Sequence, residues 1–175
     1  MIGKSAFVAA SALLALGTAA ASHDGPHVND AEIAHVAYTA GQIDIEAAKQ
    51  ALARSKNPQV RAFAETMVRD HAAVNDQALA LVRKLGVTPE ANPTSAALSE
   101  GAAKKMRSLA SLEGPAFDRA YARNEAAFHG TVNGALETTL IPGAKNAQLK
   151  SLLQTGLTLF REHQGHAEHL AKQLD

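Results

Sequence analysis

The six prolines of this 175-residue chain, Pro26, Pro58, Pro89, Pro93, Pro115 and Pro142, all fall at breaks between long stretches of helical periodicity. A proline inside a helix removes a backbone hydrogen bond and collides with the carbonyl four residues earlier. The proline-free stretches are therefore where long helices can form, and they are rich in alanine, the strongest helix former, at 38 residues. No stretch alternates with a period of two, so the fold class is all-α.

Asn29 or Asp30 can cap a first helix reaching about Ser55, with Ile33, Val36, Ala40, Ile43 and Ala47 on one face. Asn57-Pro58 opens a second, which carries Val60, Phe63, Met67, Val74, Ala78, Leu81 and Leu85 and ends at Gly86. Residues 87–94 form a loop, and a shorter helix follows from Ser95 to Leu112. The third long helix runs from Pro115 to about Leu140, where Ile141-Pro142-Gly143 stops it, and the fourth from Ala144 to the end. Helices of about 25 residues are roughly 38 Å long. They can bury their stripes only against one another, which gives a four-helix bundle over residues 29–175. The long crossover between Gly86 and Gly114, containing the short helix, then joins two helical hairpins. Asn57 and Asn146 open the second and fourth helices in similar contexts, and Arg69-Asp70-His71 echoes Arg161-Glu162-His163. That echo suggests two related hairpins about a pseudo-two-fold axis.

Residues 1–21 read as an export signal: Lys4, an apolar run Ala6–Leu16, then small residues through Ala21. The run is too short to span a bilayer. Cleavage after Ala20 or Ala21 would leave a flexible segment, residues 22–28, and a soluble periplasmic or otherwise exported protein with no transmembrane segment. Seventeen basic residues balance seventeen acidic ones, so there is no excess charge for nucleic acid. With no cysteine, disulfides, thiolate metal sites and a cysteine nucleophile are excluded.

The eight histidines carry the chemistry. His71 continues the stripe Phe63–Met67, His163 falls between Phe160 and Ala167, and His129 lies in line with Glu125, Val132 and Leu136. Glu46, beside Ile43 and Ala47, is the matching candidate on the first helix. Buried polar groups need partners. These four can hydrogen-bond to one another, with Asp70, Glu125 and Glu162 assisting, or hold copper, zinc or iron, which imidazole and carboxylate suit. Proton competition at imidazole would then weaken binding below about pH 6.5. Glu162, His166 and His169 lie within about 60° of one another on the last helix, a second and weaker candidate metal site. A chain beginning Ala21-Ser22-His23 would offer a square-planar site at its amino terminus.

Phe63-Ala64-Glu65-Thr66-Met67-Val68-Arg69-Asp70-His71, Gly114-Pro115-Ala116-Phe117-Asp118-Arg119-Ala120-Tyr121 with His129, and Arg161-Glu162-His163 together resemble an exported bacterial family of unknown function. Its members are often labelled outer-membrane proteins. The resemblance spans about Asp30–Leu174 and implies a ferritin-like four-helix bundle and export. The chain has no barrel-type strands to match the outer-membrane label. It also has a single Glu-x-x-His, Glu32 to His35, where a ferritin-like di-iron centre needs two. The expectation is a periplasmic bundle that binds a divalent transition metal and is not an enzyme. The alternatives are a metal-free structural or stress-related envelope protein and a metal-dependent oxidase or peroxidase.

Overall fold

A computed structural model describes residues 28–175, and every regular element among them is helical. Residues 1–21, read from the sequence as an export signal, His23 and nearly all of the 22–28 segment lie outside the described residues. α1 (Asp30–Arg54) starts at an Asn29 cap, whose side chain accepts from the Ala31 and Glu32 amides, while Glu32 accepts from the Asn29 amide. Glu32 of the lone Glu-x-x-His is thus engaged in the capping box at the helix start. α2 (Pro58–Leu85) begins on Asn57 and ends at Gly86, whose φ of 65° is the left-handed conformation a glycine adopts freely. α3 (Pro93–Ala110) is the crossover helix and starts two residues earlier than the sequence pattern suggests, because Asn92 and Ser95 form a reciprocal cap.

α4 (Gly114–Ala135) runs without a break into a π-helical turn, Leu136–Leu140, and then α5 (Ile141–Gly143). Pro142 has no amide to offer the Thr138 carbonyl and crowds it. The helix widens there, with the Ile141 amide bonding back to the Leu136 carbonyl, and ends at Gly143, within the Ile141-Pro142-Gly143 stop. α6 (Ala147–Leu174) begins on Asn146, which caps as Asn57 does.

The four long helices pack in a ring: α1 along α2, α2 against α6, α6 along α4, and α4 against α1. Their interior has two apolar ends. One gathers Ala47, Ala51, Val60, Phe63, Met67, Phe117, Tyr121 and Leu170. The other gathers Ile33, Val36, Leu136, Leu140, Leu149, Leu153 and Phe160. The order in which each helix visits these ends gives its direction. α1 and α6 run one way, α2 and α4 the other. α2 therefore finishes at the end opposite the start of α4. α3 covers that distance on the outside, with Leu98 against one cluster and Leu109 in the other.

Asp30 ties the start of α1 to the start of α6: its two carboxylate oxygens accept from the Lys145 amide at 2.8 Å and the Asn146 amide at 2.9 Å. Asp30→Ala is expected to lower the unfolding free energy by about 1–3 kcal/mol. The measurement is urea denaturation, where the midpoint should fall with no change in slope.

Candidate metal centre

Spacings of three and four carry the apolar stripes through the middle of each helix, and there the stripe turns polar. α1 places Asp44 between Ala40 and Ala47, and α2 continues Phe63 and Met67 with His71 and Asn75. α4 continues Phe117 and Tyr121 with Glu125, His129 and Asn133, and α6 follows Phe160 with His163. All of these side chains are buried. They form one polar layer between the two apolar ends.

The rings of His71, His129 and His163 stand at the corners of a near-equilateral triangle, with centroids 5.5, 5.2 and 5.5 Å apart. Each offers one nitrogen within 4.8 Å of the others. His129 donates Nδ1–H to the Glu125 carbonyl at 3.0 Å, which leaves its Nε2 as a lone pair facing the Nε2 of His71 at 3.4 Å. Asp44 Oδ2 lies 3.6 Å from that same His71 nitrogen. His163 donates Nε2–H to Asp70 at 3.1 Å, and Arg69 holds the other oxygen of Asp70 at 2.7 Å. Phe160 stacks on His71, 4.7 Å between centroids and 13° from parallel, closing the layer toward one end. Asp44, Glu125 and His129 form a second set with ligand atoms within 4.8 Å.

Six buried polar atoms of this layer and its edge have no hydrogen-bond partner: His71 Nδ1, His163 Nδ1, Asp44 Oδ1, Glu125 Oε2, Asn133 Oδ1 and the Tyr121 hydroxyl. Each such orphan costs about 1–3 kcal/mol. Their concentration in one layer marks a place built for a further partner.

Burial sets the protonation. It lowers His71 to about 2, aided by the neighbouring His129 and His163, and His129 to about 4 against the pull of the Glu125 carbonyl. It also lowers His163, with Asp70 opposing. The three rings are neutral at physiological pH and keep their lone pairs. Burial acts in the opposite sense on the acids. It raises Asp44 well above the carboxylate range, with Glu125 adding to the rise, and raises Glu125 to about 7. Two carboxyls facing each other without water retain a proton between them. Asp70, at the rim, is held below its ordinary value chiefly by Arg69.

His71, His129 and His163 come together. Glu46 does not join them: its side chain is 53% exposed and pairs with Lys49 at 2.9 Å. The carboxylate that α1 contributes is Asp44, 2% exposed. Ile33, Val36, Ala40, Asp44, Ala47 and Ala51 follow one another at spacings of three and four. Asp44 was legible as a member of that stripe, whereas Glu46 sits about 200° away from it. Glu162, His166 and His169 lie on the exposed face of α6 and do not meet the 4.8 Å grouping that both buried sets satisfy.

A family model described as Domain of unknown function (DUF4142) matches residues 15–170, and the chain belongs to that family. No curated protein and no solved structure matches it. No helix among the described residues is long and apolar enough to cross a membrane.

These shifts fix a pH profile for the metal-free protein. Unfolded imidazoles take protons near pH 6.5, while folded His129 and His71 do so only near 4 and 2. Below about 6.5 the unfolded state binds more protons, so the rings' contribution is lost as pH falls. The acids act the other way. Unfolded carboxyls keep a proton only below about 4–4.5, whereas folded Glu125 keeps it to about 7 and Asp44 beyond. Their contribution is lost as pH rises through those values. The rings' loss on the acid side and the acids' loss on the alkaline side place the maximum between them, and below about 4.5, where the acids no longer offset the rings, the acid limb steepens. Urea unfolding with chelator from pH 3 to 9 measures this. A profile flat between pH 4 and 9 would contradict neutral, buried rings.

Proposed function

We propose that this DUF4142-family chain is an exported, ferritin-like four-helix bundle that binds a divalent transition metal ion in its interior and holds it without catalysing a reaction. The ligands are His129 Nε2, His71 Nε2, His163 Nδ1 and an Asp44 oxygen. One observation carries the reading: neutral histidines from three helices converge with their ligand nitrogens within 4.8 Å of one another, in a layer where His163 Nδ1 and Asp44 Oδ1 lack partners. The 3.4 Å between the two Nε2 atoms supports it. Two nitrogens bound tetrahedrally at about 2.0–2.1 Å stand roughly 3.3–3.4 Å apart.

The protein's own residues do three things for the ion. The Glu125 carbonyl and the Asp70 carboxylate each fix the tautomer of one histidine, so that the opposite nitrogen is a ligand. Phe160 and the flanking apolar clusters exclude water. The Asp44–Glu125 pair supplies negative charge once it gives up its proton. Without thiolates the set suits zinc, copper or iron. A bound ion would supply the charge that offsets two buried carboxylates. Asp44 Oδ2, 3.6 Å from His71 Nε2, is the carboxylate nearest to adding a fourth ligand to the three imidazoles, and a set so filled favours holding an ion over turning over a substrate on it. Residues 1–21 support export.

The proton that competes with metal at neutral pH is then on the carboxyl pair and not on imidazole. Affinity should rise from pH 6 to 8, with proton release on binding. Elemental analysis of untagged protein should give stoichiometric metal. Zn(II), Cu(II) or Fe(II) should raise the melting temperature of chelator-treated protein. His71→Ala should abolish that rise, Asp70→Asn should weaken binding about 10–100-fold, and Glu46→Ala should leave it unchanged. A parent melting curve indifferent to chelator and to all three metals would leave the metal-free structural reading in its place.

A further inference from the structure

On the Leu149–Phe160 side of the histidine layer the interior is not filled. A cavity of about 320 Å³ lies there between α1, α2, α4 and α6, with α3 at its edge. This is the lower end of the range for small-molecule sites. Its body is formed by side chains such as Val36, Val74, Leu136, Leu153 and Phe160, and no charged residue lines it. Three exposed threonines, Thr94, Thr131 and Thr139, edge it on the α3–α4 side. Along α6 the lining extends from Leu149 to Phe160, roughly 16 Å at 1.5 Å per residue. So small a volume over such a length describes a narrow channel, which fits one extended chain better than a fused ring system. Phe160 closes the inner end, its ring stacked on His71.

We propose that this channel binds a single-chain aliphatic amphiphile of about ten carbons with an uncharged polar head. The hydrocarbon lies along α6 with its end against Phe160, and the head hydrogen-bonds among the threonines at the rim. The lining offers threonine hydroxyls and no cation, so a hydroxyl or ester head finds hydrogen-bond partners there while a carboxylate would gain no ion pair and would stand beside a wall of apolar side chains. The site stands independently of the histidine layer's occupancy.

Calorimetric titration of the purified protein, with chelator present, tests this with 1-hexanol, 1-octanol, 1-decanol and decanoate. Affinity should rise about fourfold per methylene and level off near ten carbons, and decanoate should bind at least tenfold more weakly than 1-decanol. Ala78→Phe and Ala135→Leu place bulk in the channel from half-buried small residues and should each weaken 1-decanol binding at least tenfold with unchanged helical circular dichroism. No saturable binding of any alkanol, affinity independent of chain length, or equal binding of decanoate would overturn the proposal. A channel already filled by the chain's own residues ahead of Val28 would give the first of these results.

Discussion

Everything in this molecule is arranged around one costly feature, a layer of polar side chains across the middle of an otherwise apolar interior. Asp44, His71, Glu125, His129 and His163 come from four helices and meet at one height. A one-turn slip of any helix, about 5.4 Å, would carry its polar member into an apolar cluster and leave the others further short of partners. The layer therefore sets the register of the helices more strictly than the alanine-rich stripes could. Small apolar side chains pack almost as well one turn along, but a histidine opposite a carboxylate does not.

Much of the fold was legible because its signals are local. Asparagine caps at 29, 57 and 146, proline at the first turn and Gly86 at a helix end are read from a few neighbouring residues. The three histidines were legible because each sits on a strong stripe with large apolar neighbours such as Phe63, Met67 and Phe160. Asp44 lies on such a stripe too, but its neighbours Ile43 and Ile45 blur it, and Ile43 faces α3 and not the core. Glu46 carries the same charge two residues away and points to solvent. The π-helical turn ahead of Pro142 was hidden for a related reason. A proline signals a stop, and only the neighbouring packing decides that a widened turn is tolerated.

The two hairpins echo each other in their caps and differ where it matters. His71 lies 14 residues beyond its Asn57 cap and His163 lies 17 beyond Asn146, a difference of nearly one turn. The parallel sequences Arg69-Asp70-His71 and Arg161-Glu162-His163 therefore have unequal fates. Asp70 reaches across to the histidine of the other hairpin. Glu162 faces solvent, and Arg161 pairs with Glu137. A strict two-fold arrangement would have placed two carboxylates at the rim. The observed one places a single carboxylate there and two, Asp44 and Glu125, inside.

That inequality determines how the layer communicates with water. His71, His129, Asp44 and Glu125 are sealed on every side, and His163 is nearly so, but its partner Asp70 is 19% exposed and already ionised, with Arg69 beside it. Among the described residues, Arg69–Asp70–His163 is thus a continuous polar connection from solvent to the layer. Phe160 blocks the side toward the channel. On the metal reading proposed above, an ion from solvent would pass the Arg69–Asp70 pair, whose charges offset each other, and then reach His163. A proton leaving the Asp44–Glu125 pair has the same route available in reverse. One rim carboxylate thereby fixes a histidine tautomer and links the layer to solvent, a role Glu162 does not share because of the three-residue offset between the hairpins.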